Sequence, residues 1–176
     1  MAELVDALDS KSSSGNRVWV RFPLWAQKCF MYEKNKQLRY DIAYMKMALE
    51  WAKLSHCKRK QVGALIVKDN MIISDGYNGT PSGFENNCEL DGGETKWYVL
   101  HAEANAILKC AKHGQSCQAS SLYLTLSPCK DCSKLIHQAG IKRVIYHIPY
   151  KDPSGLNFLQ KAGVEITYLK NFHNES

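Results

Sequence analysis

Leu122-Tyr123-Leu124-Thr125-Leu126-Ser127-Pro128-Cys129-Lys130-Asp131-Cys132 is the stretch whose reading decides the fold. Its first five residues form a short apolar run that predicts a strand. Pro128 suits the first turn of a helix, where its missing N–H leaves no hydrogen bond unmade. The helix is predicted over residues 128–139 and closes at Gly140, a residue suited to a left-handed stop. A strand that passes almost directly into a helix is the building unit of an α/β protein. Cys129 and Cys132 stand three residues apart at this junction. They therefore share one face of the helix start, where the positive end of the helix dipole favours thiolates.

Upstream, an apolar helical run opens on His101 and predicts a helix over residues 101–112. Before it, Val62-Gly63-Ala64-Leu65-Ile66-Val67 is β-branched and apolar. Lys68-Asp69-Asn70 turns it into a second strand, Met71-Ile72-Ile73-Ser74, as a hairpin. Gly76 to Gly93 is a polar loop with five glycines, of a length that ordinarily carries function. Farther upstream, Asp41 is read as an N-cap, with Ile42, Met45, Leu49 and Ala52 at helical spacing to about Ser55. Downstream, a strand over 142–148, a helix over 156–162 ended by Gly163 and a strand over 164–169 complete the chain. A hairpin followed by β-α-β-α-β implies one sheet of about five strands covered by helices, with both helix starts near the same sheet edge region. No repeat of 20–50 residues is present.

His101, Cys129 and Cys132 together can hold a zinc ion. Three protein ligands leave the fourth tetrahedral position open, which separates a catalytic zinc from a closed structural one. Zinc lowers the pKa of its water to about 7, giving the nucleophile that hydrolysis of an amidine-like carbon needs. Glu103, two residues past His101, is placed to move protons rather than to ligate. A lone C-x-x-C also serves structural zinc knuckles and redox pairs. A structural zinc would want a fourth strong ligand, and none sits at tight spacing beside these three.

The 176 residues suit one domain with a real core, 45% of them hydrophobic. No apolar run is long enough to span a membrane, and the N-terminus lacks the pattern of a secretory signal. Seven cysteines are an odd number. With two committed to zinc, a reduced, cytoplasmic setting is expected rather than a disulfide framework. The net charge is +6, and residues 1–60 carry twelve Lys and Arg against six Asp and Glu. The excess peaks at Lys58-Arg59-Lys60, read either as a solvated run or as contact with nucleotide phosphates. No stripe of interleaved basic and aromatic residues marks a nucleic-acid face. Residues 1–30 read differently from the rest. Lys11-Ser12-Ser13-Ser14-Gly15-Asn16 is linker-like, and the segment resembles conceptual translations of tRNA genes fused to a reading frame. The chain is therefore read as an extension over 1–30, with Met31 the expected start, and a catalytic domain over 31–176.

His101-x-Glu103 followed by Pro128-Cys129-x-x-Cys132 is the signature of the zinc deaminases, which remove an exocyclic amine from a nucleobase. From about Gln37 to Leu169 the chain resembles the cytidine deaminase superfamily, and within it the deoxycytidylate (dCMP) deaminases. The resemblance is carried by Val62-Gly63-Ala64, Gly76-Tyr77-Asn78-Gly79-Thr80-Pro81, His101-Ala102-Glu103-Ala104-Asn105-Ala106-Ile107, Thr125 to Cys132, and Gly140-Ile141-Lys142-Arg143-Val144. It implies a three-layer α/β/α fold around a mixed central sheet and hydrolysis of dCMP to dUMP, which feeds thymidylate synthesis. It implies zinc on His101, Cys129 and Cys132, with Glu103 as proton shuttle. Asn78 would bond the sugar or base, Ala102 N–H and Ser127 C=O would read the pyrimidine edge, and Tyr150 would stack near the base. Cys57 and Cys88, with His56 nearby, match two ligands of a second, structural zinc in some relatives. The resemblance also implies activation by dCTP and inhibition by dTTP with Mg²⁺, and a homo-oligomer, hexamer or dimer. A tRNA adenosine deaminase, another nucleobase deaminase and a non-catalytic nucleotide-binding module are the alternatives. Cys110 and Cys117 are read as packing residues, and Cys29 as part of the extension.

Overall fold

The computed structural model describes residues 23–170. Of the extension read at 1–30, residues 1–22 and with them the linker-like stretch lie outside the described residues. Two units divide the chain, Met1–Leu38 and Arg39–Ser176. The first contributes, among the described residues, only the beginning of helix α1.

Helix α1 spans Leu24–Ala52, so it begins well before the start read at Asp41. Nothing between Leu24 and Ala52 is Gly or Pro, and the helix has no reason to break. Asp41 is not a cap. It is buried at 2% exposure in mid-helix, where its carboxylate accepts the Tyr123 hydroxyl at 2.8 Å and both Arg143 Nη atoms at 2.8 and 2.6 Å.

Strands β1 (Gly63–Lys68) and β2 (Met71–Tyr77) pair antiparallel, with Lys68 opposite Met71. The two turn residues, Asp69 and Asn70, have φ of 50° and 60°. That is the left-handed pair a twisted two-residue hairpin demands, and these residue types tolerate it. There follow α2 (Ala102–Lys112), β3 (Ser121–Leu126), α3 (Lys130–Gln138), β4 (Arg143–Ile148), α4 (Ser154–Lys161) and β5 (Glu165–Tyr168). Gly140 and Gly163 stop α3 and α4 with φ of +76° each. Helix α3 starts at Lys130 with Cys129 as its N-cap, so Pro128 stands just outside the helix rather than in its first turn.

The sheet order is β2-β1-β3-β4-β5. The β2-β1 and β1-β3 pairs are antiparallel, while β3-β4 and β4-β5 are parallel. Side chains alternate across the pleat. Ala64, Ile66, Leu122, Leu124 and Val144 meet residues of α2, α3 and α4 on one face. Leu65, Val67, Tyr123 and Ile145 meet Ile42, Met45 and Ala48 of α1 on the other. This is the three-layer α/β/α arrangement around a mixed five-stranded sheet. Helix α1 lies tight on β1, since a Cβ on Gly63 would fall 2.1 Å from the Ala48 carbonyl oxygen.

The strand directions bring four chain segments to one end of the sheet. The exits of β2, β3 and β4 lie there, and so does the entry to β1, because β1 runs antiparallel to β2 and β3. Crevices at the carboxyl ends of parallel strands are where α/β sheets place their ligands.

Candidate active site

The segment after β3 turns at Ser127 and Pro128 into α3, and the long loop after β2 returns at His101 to start α2. Both helix starts are fixed by close packing. Gly76 in β2 sits against the first turns of α2, where a Cβ would lie 2.3 Å from Ala102 O and 2.8 Å from Ala106 N. Ser74 Oγ donates to Ala106 O at 2.8 Å, and Asn105 Nδ2 donates to Tyr77 O at 3.0 Å, lashing α2 to the same strand. Gly155 in α4 does the same for α3, where a Cβ would lie 2.3 Å from Pro128 O.

These two helix starts bring together the three residues read as ligands. His101 Nδ1 lies 3.6 Å from Cys129 Sγ and 3.4 Å from Cys132 Sγ. The three donor atoms all lie within 4.8 Å of one another, and among the described residues this is the only such cluster of three or more His, Cys, Asp or Glu groups. Tetrahedral zinc with ordinary Zn–N and Zn–S bonds sets nitrogen and sulfur about 3.5 Å apart, so the trio fits zinc. The thiols are also unequal. Hydrogen bonding from Cys132, then from His101, holds Cys129 down to about 4. Cys132 is pushed up, first by that same bond to the Cys129 sulfur and then by burial. The bond to Cys129 also raises His101 above its ordinary range.

Glu103, in the first turn of α2, is 4% exposed. Burial pushes its carboxyl up to about 7. A buried carboxyl beside the trio and near neutrality is placed to take up and give back a proton.

His101, Ala102, Glu103, Ser127 and Cys129 line one cavity of about 530 Å³, a volume within the range of small-molecule sites. Asn78 and Tyr150 also line it, with the Asn78 amide partly engaged and the Tyr150 backbone N–H bonded. Asn78 Oδ1 accepts Val62 N–H at 2.8 Å and Nδ2 donates to Lys60 O at 2.8 Å. The side chain thus clamps the segment entering β1, leaving one amide hydrogen and one lone pair for anything else. Ser127 Oγ accepts the Tyr150 N–H at 2.7 Å, and the Tyr150 ring lies 5.4 Å from Lys60 Nζ. Arg59, Glu89, Thr95 and Lys151 complete much of the wall. Of these only Arg59 carried a signal, as part of the basic run. Glu89 is a single acid in a polar loop, and nothing local marks it.

Cys57 and Cys88, read as ligands of a second zinc, are joined to each other in a disulfide. Neither then offers a thiolate to a metal, and the chain is not the wholly reduced one expected. Both cysteines are buried, at 4% and 0% exposure, while His56 is exposed. The loop after β2 returns Cys88 beside Cys57 with a Cα separation of 5.1 Å, within the range a disulfide spans. Cys110 and Cys117 are free and buried, as packing residues should be.

The protein-family model for the cytidine and deoxycytidylate deaminase zinc-binding region matches residues 38–148. The chain belongs to the cytidine and deoxycytidylate deaminase family. Among members of this family, the deoxycytidylate deaminase of Enterobacteria phage T4 is 34% identical over 155 residues, covering 64% of this chain and 80% of the phage protein. The deoxycytidylate deaminase of Schizosaccharomyces pombe is 35% identical over 164 residues. That match takes in 84% of this chain but only 50% of the yeast protein, so the chain spans half the length of that relative. Among solved structures, the dCMP deaminase of cyanophage S-TIM5 in complex with dCMP and dUMP superposes with a TM-score of 0.71 at 50% identity, over 72% of this chain and 94% of that one. Deaminase-family membership accounts for the trio and its neighbouring carboxyl together.

Proposed function

We propose that this protein is a zinc-dependent hydrolase that converts dCMP and water to dUMP and ammonia. The observation that carries the reading is the convergence of His101, Cys129 and Cys132 beside buried Glu103 on the wall of one nucleotide-sized cavity. Relatives named deoxycytidylate deaminase, and a solved relative holding dCMP and dUMP, support dCMP as the substrate.

His101, Cys129 and Cys132 would hold the zinc, whose Lewis acidity activates water at neutral pH. Glu103 takes a proton from the water as it adds to C4 of the base and delivers it to N3. A second proton passes through the same carboxyl to the departing amino group, which leaves as ammonia while C4 becomes a carbonyl. The Ala102 N–H, at a helix start where backbone donors lack intrahelical partners, and the Ser127 carbonyl are proposed to hold the pyrimidine edge. Tyr150 is proposed to stack by the base, and Asn78 to shape the wall that faces the sugar. Regulation by dCTP and dTTP with Mg²⁺, a homo-oligomeric state and a cytoplasmic location belong to the same reading. No described helix is long and apolar enough to cross a membrane.

The test is ammonia release from dCMP, deoxycytidine and a tRNA anticodon arm by wild-type protein and by Glu103→Gln. Wild type should act on dCMP, and the variant should keep its zinc while losing turnover by about 10²–10⁴-fold. Reaction with the tRNA arm alone overturns the substrate, and normal turnover by Glu103→Gln overturns the shuttle. Sigmoidal dCMP kinetics relieved by dCTP would establish the regulation.

A further inference from the structure

The Cys57–Cys88 bridge joins two chain segments that both line the cavity holding Glu103. Cys57 stands on the segment leading into β1, and that side is anchored. Ser55 Oγ accepts the Cys57 N–H at 3.2 Å and donates to Asn78 O, just past β2, at 2.7 Å. Cys88 stands on the long loop after β2, in a small hairpin over residues 88–96. There Lys96 N–H donates to Cys88 O and Leu90 N–H to Glu94 O, each at 2.8 Å, and Glu89 pairs with Thr95. Glu89 and Thr95 of this hairpin line the cavity. Contacts beside the bridge hold the hairpin to the anchored side. Glu89 Oε1 accepts the N–H groups of Lys58 at 2.9 Å and Arg59 at 3.2 Å, and Arg59 Nη1 donates to Thr95 Oγ1 at 3.2 Å. Yet Glu89 is only 7% exposed and its Oε2 has no hydrogen-bond partner. Burying a carboxylate oxygen without a partner is unfavourable, so the hairpin is biased outward and the covalent bridge opposes that bias. The neck of the loop is closed independently, since Gly79 and Leu100 exchange backbone bonds at 3.1 and 2.8 Å just before His101. The two sulfurs also differ in access. Both residues are buried, but Cys57 lines the cavity and Cys88 does not. Thiol–disulfide exchange needs a thiolate to reach one sulfur, and here the open approach runs through the cavity.

We infer that Cys57 is a thiol-exchange site entered through the cavity, and that the Cys57–Cys88 bridge is a reversible latch holding the 88–96 hairpin in the cavity wall. A small thiolate attacks Cys57 Sγ and forms a mixed disulfide with it. The Sγ–Sγ bond breaks, and its electron pair leaves on Cys88. A second thiolate attacks the outer sulfur of the mixed disulfide, which frees Cys57 and releases the small-molecule disulfide. Two small thiols are thus oxidised for one bridge reduced, and their protons pass to Cys57 and Cys88. An occupied cavity shields the latch. That the occupant is a nucleotide rests on the deaminase reading, whereas the route to Cys57 does not.

The experiment uses the zinc-loaded full chain, with zinc kept in the buffer. Wild type is reduced by dithiothreitol with and without dUMP, and Cys57 and Cys88 thiols are counted by alkylation and peptide mass spectrometry. At about 100 times its Kd, measured by calorimetry, dUMP should slow reduction roughly 10–100-fold. Cys88→Ser and Cys57→Ser are then exposed to the disulfide of mercaptoethanol. Cys57 of the first variant should take up the mixed disulfide at least about 10-fold faster than Cys88 of the second. Reduced wild type should raise its KM for dCMP roughly 3–30-fold with kcat within about threefold, because the wall loses preorganisation while the trio stays. Oxidised glutathione should restore the original KM. Free Cys57 and Cys88 thiols before reduction, or a bridge that dithiothreitol leaves intact in the folded protein, overturn the latch. Cys88 reacting as fast as Cys57, reduction unaffected by bound dUMP, or an unchanged KM after reduction overturn it too. If wild type neither binds dUMP nor deaminates dCMP, the deaminase reading fails. The latch is then decided by whether the bridge is reduced in the folded protein and which of the two cysteines carries the adduct.

Discussion

Gly76→Ala should cripple this protein although it adds one methyl group and touches no proposed ligand. Gly76 is not in the left-handed region, so what it supplies is space. The added Cβ would lie 2.3 Å from Ala102 O, and ordinary contact begins at 3.4 Å. The start of α2 must therefore retreat by about 1.1 Å, and it cannot slide aside freely because Ser74 and Asn105 tie it to β2. His101 and Glu103 would move with it, while Cys129 and Cys132 on α3 stay. A misplacement of about 1 Å costs on the order of 100-fold in rate, and the overpacking itself about 1–3 kcal/mol. The assay is kcat for dCMP with zinc content and a thermal melt on the same preparation. Gly92→Ala is the control, since nothing lies within 4 Å of its Cβ. If Gly76→Ala keeps full zinc and turns over within about threefold of wild type, the packing argument is wrong.

Three further outcomes follow from other contacts. Asp41→Asn removes the buried charge opposite Arg143, which also pairs with Glu165, and should cost about 3 kcal/mol, against about 1 kcal/mol for Tyr123→Phe; thermal melts that rank them the other way refute the network. Cys57→Ser opens a link across a separation of 31 residues and should cost about 3–4 kcal/mol by chain entropy; an unchanged melt, with wild-type Cys57 and Cys88 found as free thiols by mass spectrometry, refutes the bond. Because Cys132 retains its proton while Cys129 is held ionised, zinc uptake by metal-free protein at pH 7 should release at least about one proton per ion into a weak buffer; no acidification refutes that picture.

The sheet and the three later helices were legible because their cues are local. Asp69-Asn70 names its turn type, Gly140 and Gly163 mark helix ends, and β-branched runs mark strands. The trio was legible because its spacing is chemical. Asp41 was misread for the opposite reason, since its partners lie 82 and 102 residues away. A polar residue ahead of an apolar periodicity looks like a cap until those partners arrive. Asn78 is expected to meet the substrate, and its amide also grips the backbone of residues 60 and 62, a second role with no local signal. Glu89 was invisible because its importance lies in two N–H groups about 30 positions upstream. The fate of Cys57 and Cys88 likewise depended on where a long loop returns.

The two apolar clusters on either side of the sheet contain none of the three ligands. The architecture therefore owes little to the ion, and a chelated sample should keep its shape and accept a different tetrahedral guest. Cobalt(II), a neighbour in the same affinity series, would turn a colourless pocket into a chromophore. Its visible bands would then report the arrival of each nucleotide directly.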